Sequence, residues 1–206
     1  MFMQDITRSA ASIAFPSKPF AGPVQSGLVA GTLIDSATGW RAVETLRIGD
    51  LVHSFDGGAR RVQGLDRNWL APGEAAGLML VPGGAFDNCS DLVLPEHQHL
   101  LIDTLGDPDL PDAMMVLIPA AALVGFRGVR RVPVARPLEV VTPLFAEPEA
   151  IYANSGALLY CPAMAHGAGR LPQGDDFARL DLASARALLR RIEDFDAPTP
   201  IALRVA

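Results

Sequence analysis

From Leu28 onward the chain is a series of short apolar runs, each cut off by glycine, proline or charge. "GLVAGTLID" and "DLVHSF" have the length and composition of strands. The second is preceded by a "RIGD" turn and followed by "DGG", which is a hairpin signal. "RRVQGLDRNWL" reads as a further strand with Gly64 as a bulge or bend. "GLMLVPGGAF" and "DLVLPEHQHLLID" come next. Proline has no N–H to give to a ladder, so Pro82 and Pro95 should end a strand or lie at a sheet edge.

The second half follows the same grammar with two helical exceptions. "TLGDPDLPDAMM" is polar and rich in proline, hence a loop. "IPAAALVGF" predicts one short helix, with Pro119 in its first turn and Gly125 just past its end. "LEVVTPLF" and "EAIYANSGALLY" are two more strands on either side of an "AEPE" turn, and "HGAGRLPQGDD" is linker-like. "LDLASARALLRRIEDF" puts Leu182, Ala185, Leu189 and Ile192 on one helical face. Asp181 can cap that helix, and Arg190 and Arg191 stand toward its C-terminal end, where the dipole favours cations. The expected organisation is an N-terminal arm over 1–25, an all-β domain over 26–165, and a linker with a C-terminal amphipathic helix over 166–206. Neither βαβ alternation nor a solenoid repeat is present.

Composition narrows the function classes. Half of the 206 residues are hydrophobic and 19% are charged, which suits a packed domain rather than a disordered tail. The formal net charge of −6 and the absence of a basic tract argue against nucleic acid as a partner, because phosphate binding needs a cationic footprint. Cys89 and Cys161 lie far apart without a CxxC pattern and read as two free, buried thiols of a reducing compartment. "MFMQDITRSAASIAFPSKPF" lacks a basic start followed by a sustained apolar run, and no window approaches ~18 apolar residues. The expectation is a soluble, cytoplasmic protein without a membrane span, with export independent of a signal peptide left open.

Four stretches, in this order, carry a family resemblance: "GTLIDSATGWRAVETLRIGD", "LVHSFDGG", "LVLPEHQHLL" and "EAIYANSGALL". From about Gly27 to Cys161 the chain resembles a Hint domain, the fold of hedgehog autoprocessing domains and inteins, and within it the bacterial, alphaproteobacterial kind. The resemblance implies a horseshoe-like all-β fold with pseudo-twofold symmetry. It also implies a chemistry. A Cys or Ser at the first residue of the domain attacks the carbonyl before it, and a His in a T-x-x-H motif protonates the departing amide nitrogen. A second nucleophile then resolves the ester.

Carried over position by position, that chemistry is incomplete. The nucleophile's place, four residues before Gly31, is Gly27, which has no side chain. Ser26 offers a hydroxyl one position early, and a one-residue slip turns a strand side chain to the opposite face. In "LPEH", Leu94 stands for the threonine and His97 for the histidine. Val140 or Val141, with Glu139 nearby, stands where inteins offer an acid, and "LLYCP" replaces the splicing His-Asn ending. The expectation is therefore a degenerate, non-cleaving Hint protein that acts as a binding or structural module, with no cofactor and with a protein partner left open.

Two alternatives stand beside it. One is a working autoprocessing domain that uses Ser26 or Cys161 as nucleophile and His97 as acid, with Asn154 as an auxiliary residue. The other is a metal-binding β protein, in which His97 and His99 share one side of a strand and Cys89, Cys161, His53 or His166 complete the ligands. The plainer readings are Cys161 as a small buried hydrophobe, Asn154 as a turn residue tolerant of left-handed backbone, and Asp50 as an acceptor in the Gly49–Asp50 turn. Trp40 and Trp69 serve either the core or a binding surface.

Overall fold

Turns cut the chain into more and shorter strands than its apolar runs suggest. The computed structural model describes residues 26–73, 77–110, 113–164 and 177–196. The run "GLVAGTLID" is divided into β1 (Leu28–Val29) and β2 (Leu33–Ser36) by a turn at Ala30 and Gly31, closed by the Thr32 N–H donating to the Val29 carbonyl at 3.0 Å. β3 (Gly39–Ala42), β4 (Leu51–Ser54) and β5 (Gly58–Arg61) follow. The run "RRVQGLDRNWL" is likewise split, since β5 ends at Arg61 and β6 (Gly64–Leu70) begins at Gly64. β7 (Leu78–Val81) stops just before Pro82 and β8 (Leu92–Pro95) ends on Pro95, as a residue without an N–H requires.

Beyond these lie β9 (His99–Asp103), β10 (Met115–Pro119), β11 (Arg130–Val132) and β12 (Leu138–Leu144). β13 (Glu149–Ala153), β14 (Ala157–Cys161), β15 (Ala178–Arg179) and the helix α1 (Leu182–Asp196) complete the order. Two expectations need correction. "IPAAALVGF" is not an α-helix: Ile118 and Pro119 belong to β10, paired with β9, and only a 3-10 turn, Ala120–Leu123, remains. The five residues between Pro119 and the left-handed Gly125, at φ +95°, are too few for a stable α-helix. "EAIYANSGALLY" is not one strand but the hairpin β13–β14, turned at Asn154 and Ser155, whose φ values of +45° and +84° are left-handed.

Among the described residues the strands form three sheets. β1, β12 and β6 make one. β15–β10–β9–β14–β13–β2–β4–β5, with β3 on β2, make the second, and β11–β7–β8 the third. All named pairs are antiparallel except β15 with β10. One core joins them, built from residues such as Ile34, Leu94, Leu100, Ile118, Val141, Phe145 and Ile151. α1 contributes Ala185, Leu188, Leu189 and Ile192 to that same core, while Leu182 is 41% exposed at its start. Asp181 caps the helix, accepting from the Ser184 N–H at 2.8 Å. No helix among the described residues is long and apolar enough to cross a membrane.

A second tie holds α1. The Arg191 guanidinium donates to the Asp107 carboxylate, whose side chain is 3% exposed, and reaches Asp109 Oδ2 at 3.3 Å. The hydrogen bond from Arg191 holds the Asp107 carboxyl below the usual range. A lowered folded-state pKa contributes stability that is complete above the unfolded value and is lost as pH falls through the folded one. From about pH 5 down to about pH 2 the Tm of the protein should therefore drop more steeply than that of Asp107→Asn. Parallel slopes in a thermal titration would remove this contact from the acid response.

Candidate functional site

The entry to the domain is the place to look, and β1 positions it. β1 lies antiparallel on β12, with Leu28 opposite Val141 and Val29 opposite Val140. This brings the Ser26–Gly27 peptide beside Val140 and Thr142. Gly27 is buried with φ +132°, a backbone geometry that residues with a Cβ adopt only under strain. A Cβ built on Gly27 would lie 2.6 Å from Thr142 Oγ1 and 2.6 Å from Val140 Cγ1. Neighbouring side chains occupy the space a nucleophile at residue 27 would need.

Both ends of that peptide are held. The Gly27 N–H donates to Gln98 Oε1 at 2.8 Å, and the Thr142 hydroxyl donates to the Ser26 carbonyl oxygen at 3.4 Å. Gln98 is 1% exposed. Its Nε2 donates to the carbonyls of His99 at 2.9 Å and Tyr160 at 2.8 Å. These partners fix the orientation of the amide, because an N–H can only donate and a carbonyl can only accept. Gln98 therefore ties β1 to β9 and β14, and it meets the Gly27 nitrogen as an acceptor.

His97 takes no part in this arrangement. It sits in the turn between β8 and β9 with a side chain 59% exposed, and its Nε2 lies 3.4 Å from Glu96 Oε1. Leu94 is fully buried in the core. Gln98, the next residue along, is the side chain that meets the Gly27 N–H. Ser26 is exposed.

Cys161 is wholly buried at the end of β14, opposite Glu149. Burial pushes its thiol far above the ordinary range, and the negative charge of Glu149 adds to this. A thiol so placed carries almost no thiolate, the reactive form. Asn154 turns the β13–β14 hairpin. Its Oδ1 accepts from the Leu33 N–H at 2.8 Å, and its Nδ2 donates to Ser90 Oγ and to the Asp91 carbonyl, each at 3.1 Å. Those three bonds pin the hairpin to β2 and to the loop before β8.

Cys89 corrects the expectation of two buried thiols, since it is exposed in the β7–β8 loop. A thiol-reactive dye should accordingly label one cysteine of the native protein and two after denaturation, with Cys89→Ser removing the native label. Rapid native labelling of Cys161 would contradict the burial. His97 and His99 do not share a strand, because His97 belongs to the turn and His99 opens β9. His53 Nδ1 lies 3.0 Å from Asp35 Oδ2 on the β4–β2 surface, and His166 lies outside the described residues. Among the described residues no three His, Cys, Asp or Glu side chains converge as a metal would require.

Sequence reasoning passed over Gln98 and Thr142. The signal for Gln98 was a neutral amide at the start of the apolar run "HLLI", a residue type rarely buried without partners. Thr142 gave none, because its partner at Ser26 is distant in the chain.

With this geometry in view, the comparisons are specific. The family model described as Hint domain matches residues 26–158. No curated protein matches the chain. Among solved structures, the chain is similar to the bacterial intein-like domain from Clostridium thermocellum, at 14% identity and a TM-score of 0.44, over 66% of this chain and 98% of that one. A splice-inactive, GSH-linked variant of the AceL NrdHF class 3 split intein is similar at 12% identity and a TM-score of 0.44, over 68% and 99%. The MchDnaB-1 intein is similar at 16% identity and a TM-score of 0.39, over 64% and 98%.

Proposed function

Because this chain belongs to the Hint domain family, we propose that it is a degenerate, non-cleaving member of the bacterial, alphaproteobacterial kind, working as a binding or structural module. One observation carries the reading: Thr142 and Val140 fill the space that a side chain at residue 27 would take. Acyl transfer in the family manner begins from that side chain. Glycine lacks it, and the packing gives it no room.

The hydrogen bonds support the same reading. For the amide to break, the Gly27 nitrogen has to gain a proton as it leaves. The group facing it is the carbonyl oxygen of Gln98, which accepts and has no proton to give. His97, the acid of the family comparison, is exposed in a turn and occupied with Glu96. Cys161, the other candidate nucleophile, is buried and held as a thiol. What the residues do instead is fasten the Ser26–Gly27 peptide and β1 to the domain. Exposed Trp40, Leu33 and Leu51 add apolar surface for a protein partner, and the acidic balance of the chain disfavours nucleic acid.

The test is the mass of the full chain after prolonged incubation with and without a small thiol. A single species at 21.8 kDa is the expected result. Fragments divided between Ser26 and Gly27 would overturn the reading, and their loss on Ser26→Ala would assign the cut to Ser26.

A further inference from the structure

We propose that the outer face of β2, β3 and β4 docks an extended partner segment that carries an arginine or lysine two residues from a large apolar one, with the cation seated between Trp40 and Asp35. The inference rests on the binding-module reading above and names the chemistry of what is bound.

Strand register builds the seat. Asp35 in β2 stands directly opposite Trp40 in β3. Opposite residues of an antiparallel pair share a face, with Cβ atoms about 5 Å apart, so carboxylate and indole lie side by side. Alternate residues of a strand share a face too, which adds Leu33 from β2. From β4, His53 reaches the same carboxylate, its Nδ1 3.0 Å from Asp35 Oδ2, and Leu51 stands two residues before it. Leu33, Trp40 and Leu51 stay exposed. An indole ring attracts a cation and a carboxylate pairs with it, while the leucines offer contact to an apolar neighbour. Arg61, opposite Leu51 in β5, donates to the Gly49 carbonyl at 3.0 Å and so is committed elsewhere.

The same sheet shows how such a face is covered. At its other end β15 runs parallel to β10, with Arg179 opposite Leu117. Phe177 packs on the cluster of Leu101, Leu117 and Ala150, and the Arg179 guanidinium lies 4.4 Å from the centre of the Tyr160 ring. An extended Phe-x-Arg thus sets both side chains down on one face, the aromatic on aliphatic groups and the cation on a ring. Phe55, two residues beyond His53, meets Phe177 edge-on at 6.4 Å between ring centres. The covered half of the face therefore runs on into the exposed half. There Trp40 and Asp35 offer the arginine's place, and Leu33 and Leu51 the phenylalanine's. The net charge of −6 favours the approach of a cationic segment.

The probe is a capped alanine pentapeptide with phenylalanine second and arginine fourth, titrated into the isotopically labelled full chain and followed by NMR. The Trp40 indole N–H, identified with Trp69→Phe, and the amides of β2 to β4 should shift. Citrulline in place of the arginine keeps the shape and removes the charge. It should weaken binding about 3- to 30-fold, the joint loss of a cation over an indole and of an exposed ion pair. Asp35→Asn should lower the affinity for the arginine peptide and leave that for the citrulline peptide unchanged. Absence of shifts at about 10 mM peptide, where a millimolar site would be filled, overturns the proposal. Equal affinity for the two peptides, or shifts centred away from Trp40, overturns it as well. The comparison of peptides uses the unaltered protein, so its outcome does not hang on the folding of a variant. The two readings fail separately. A chain that cuts itself yet prefers the arginine peptide defeats only the non-cleaving function, and an intact chain indifferent to the arginine defeats only this docking surface.

Discussion

Gln98→Leu should cost about 3–5 kcal/mol of folding stability, an unusually large effect for a residue next to an exposed turn, and urea unfolding measures it. The substitution is similar in size and leaves little cavity. Its effect comes from three orphaned groups: the Gly27 N–H and the carbonyls of His99 and Tyr160. Each buried group left without a partner costs about 1–3 kcal/mol, and water entering from the exposed Ser26 side offsets part of the sum. The loss is also directional. β1 is two residues long, and beside its core packing and the β12 strand this amide is a main tie of the entry, so the variant should become sensitive to proteolysis near Ser26 before it unfolds globally. His97→Ala is the control, since an exposed side chain paired with Glu96 should cost less than about 0.5 kcal/mol. If His97→Ala proved the more damaging of the two, Gln98 would not be the residue that holds the entry strand.

That contrast marks where sequence was legible and where it was not. The all-β class followed from short runs and turn residues, and those local signals survive folding: Pro82 and Pro95 bound strands, Asn154 is left-handed, and Asp181 caps α1. β10 was hidden because "MVLIPAAALV" is apolar throughout, and an unbroken run has no period to separate strand from helix. The entry site was half legible. The family resemblance puts the nucleophile's place at Gly27, four residues before Gly31. Which of His97 and Gln98 faces it depends on how the chain turns between β8 and β9, and a shift of one residue there exchanges an exposed side chain for a buried one. Thr142 could not be inferred, because only the pairing of β1 with β12 brings it to Ser26.

Gly27→Ala should be the other severe substitution, lowering stability by about 2–5 kcal/mol, and it tests the steric claim on which the proposed function stands. Two effects add. A residue with a Cβ at φ +132° carries backbone strain of about 1–3 kcal/mol, and contacts of 2.6 Å to Thr142 and Val140 demand displacement at a similar cost. They can be separated. Gly31 also has positive φ, +93°, yet a Cβ there meets nothing within 4 Å, so Gly31→Ala reports backbone strain without collision. Combining Gly27→Ala with Thr142→Ala removes half of the collision and should recover about 1–2 kcal/mol in a double-mutant cycle, leaving the strain. The same packing predicts that Gly27→Cys alone does not cleave: the thiol would be forced in against Thr142 and Val140, and the Gly27 nitrogen would still face the Gln98 carbonyl oxygen. A Gly27→Cys chain as stable as wild type would mean that the slot is open, and the steric support for the non-cleaving proposal would be gone.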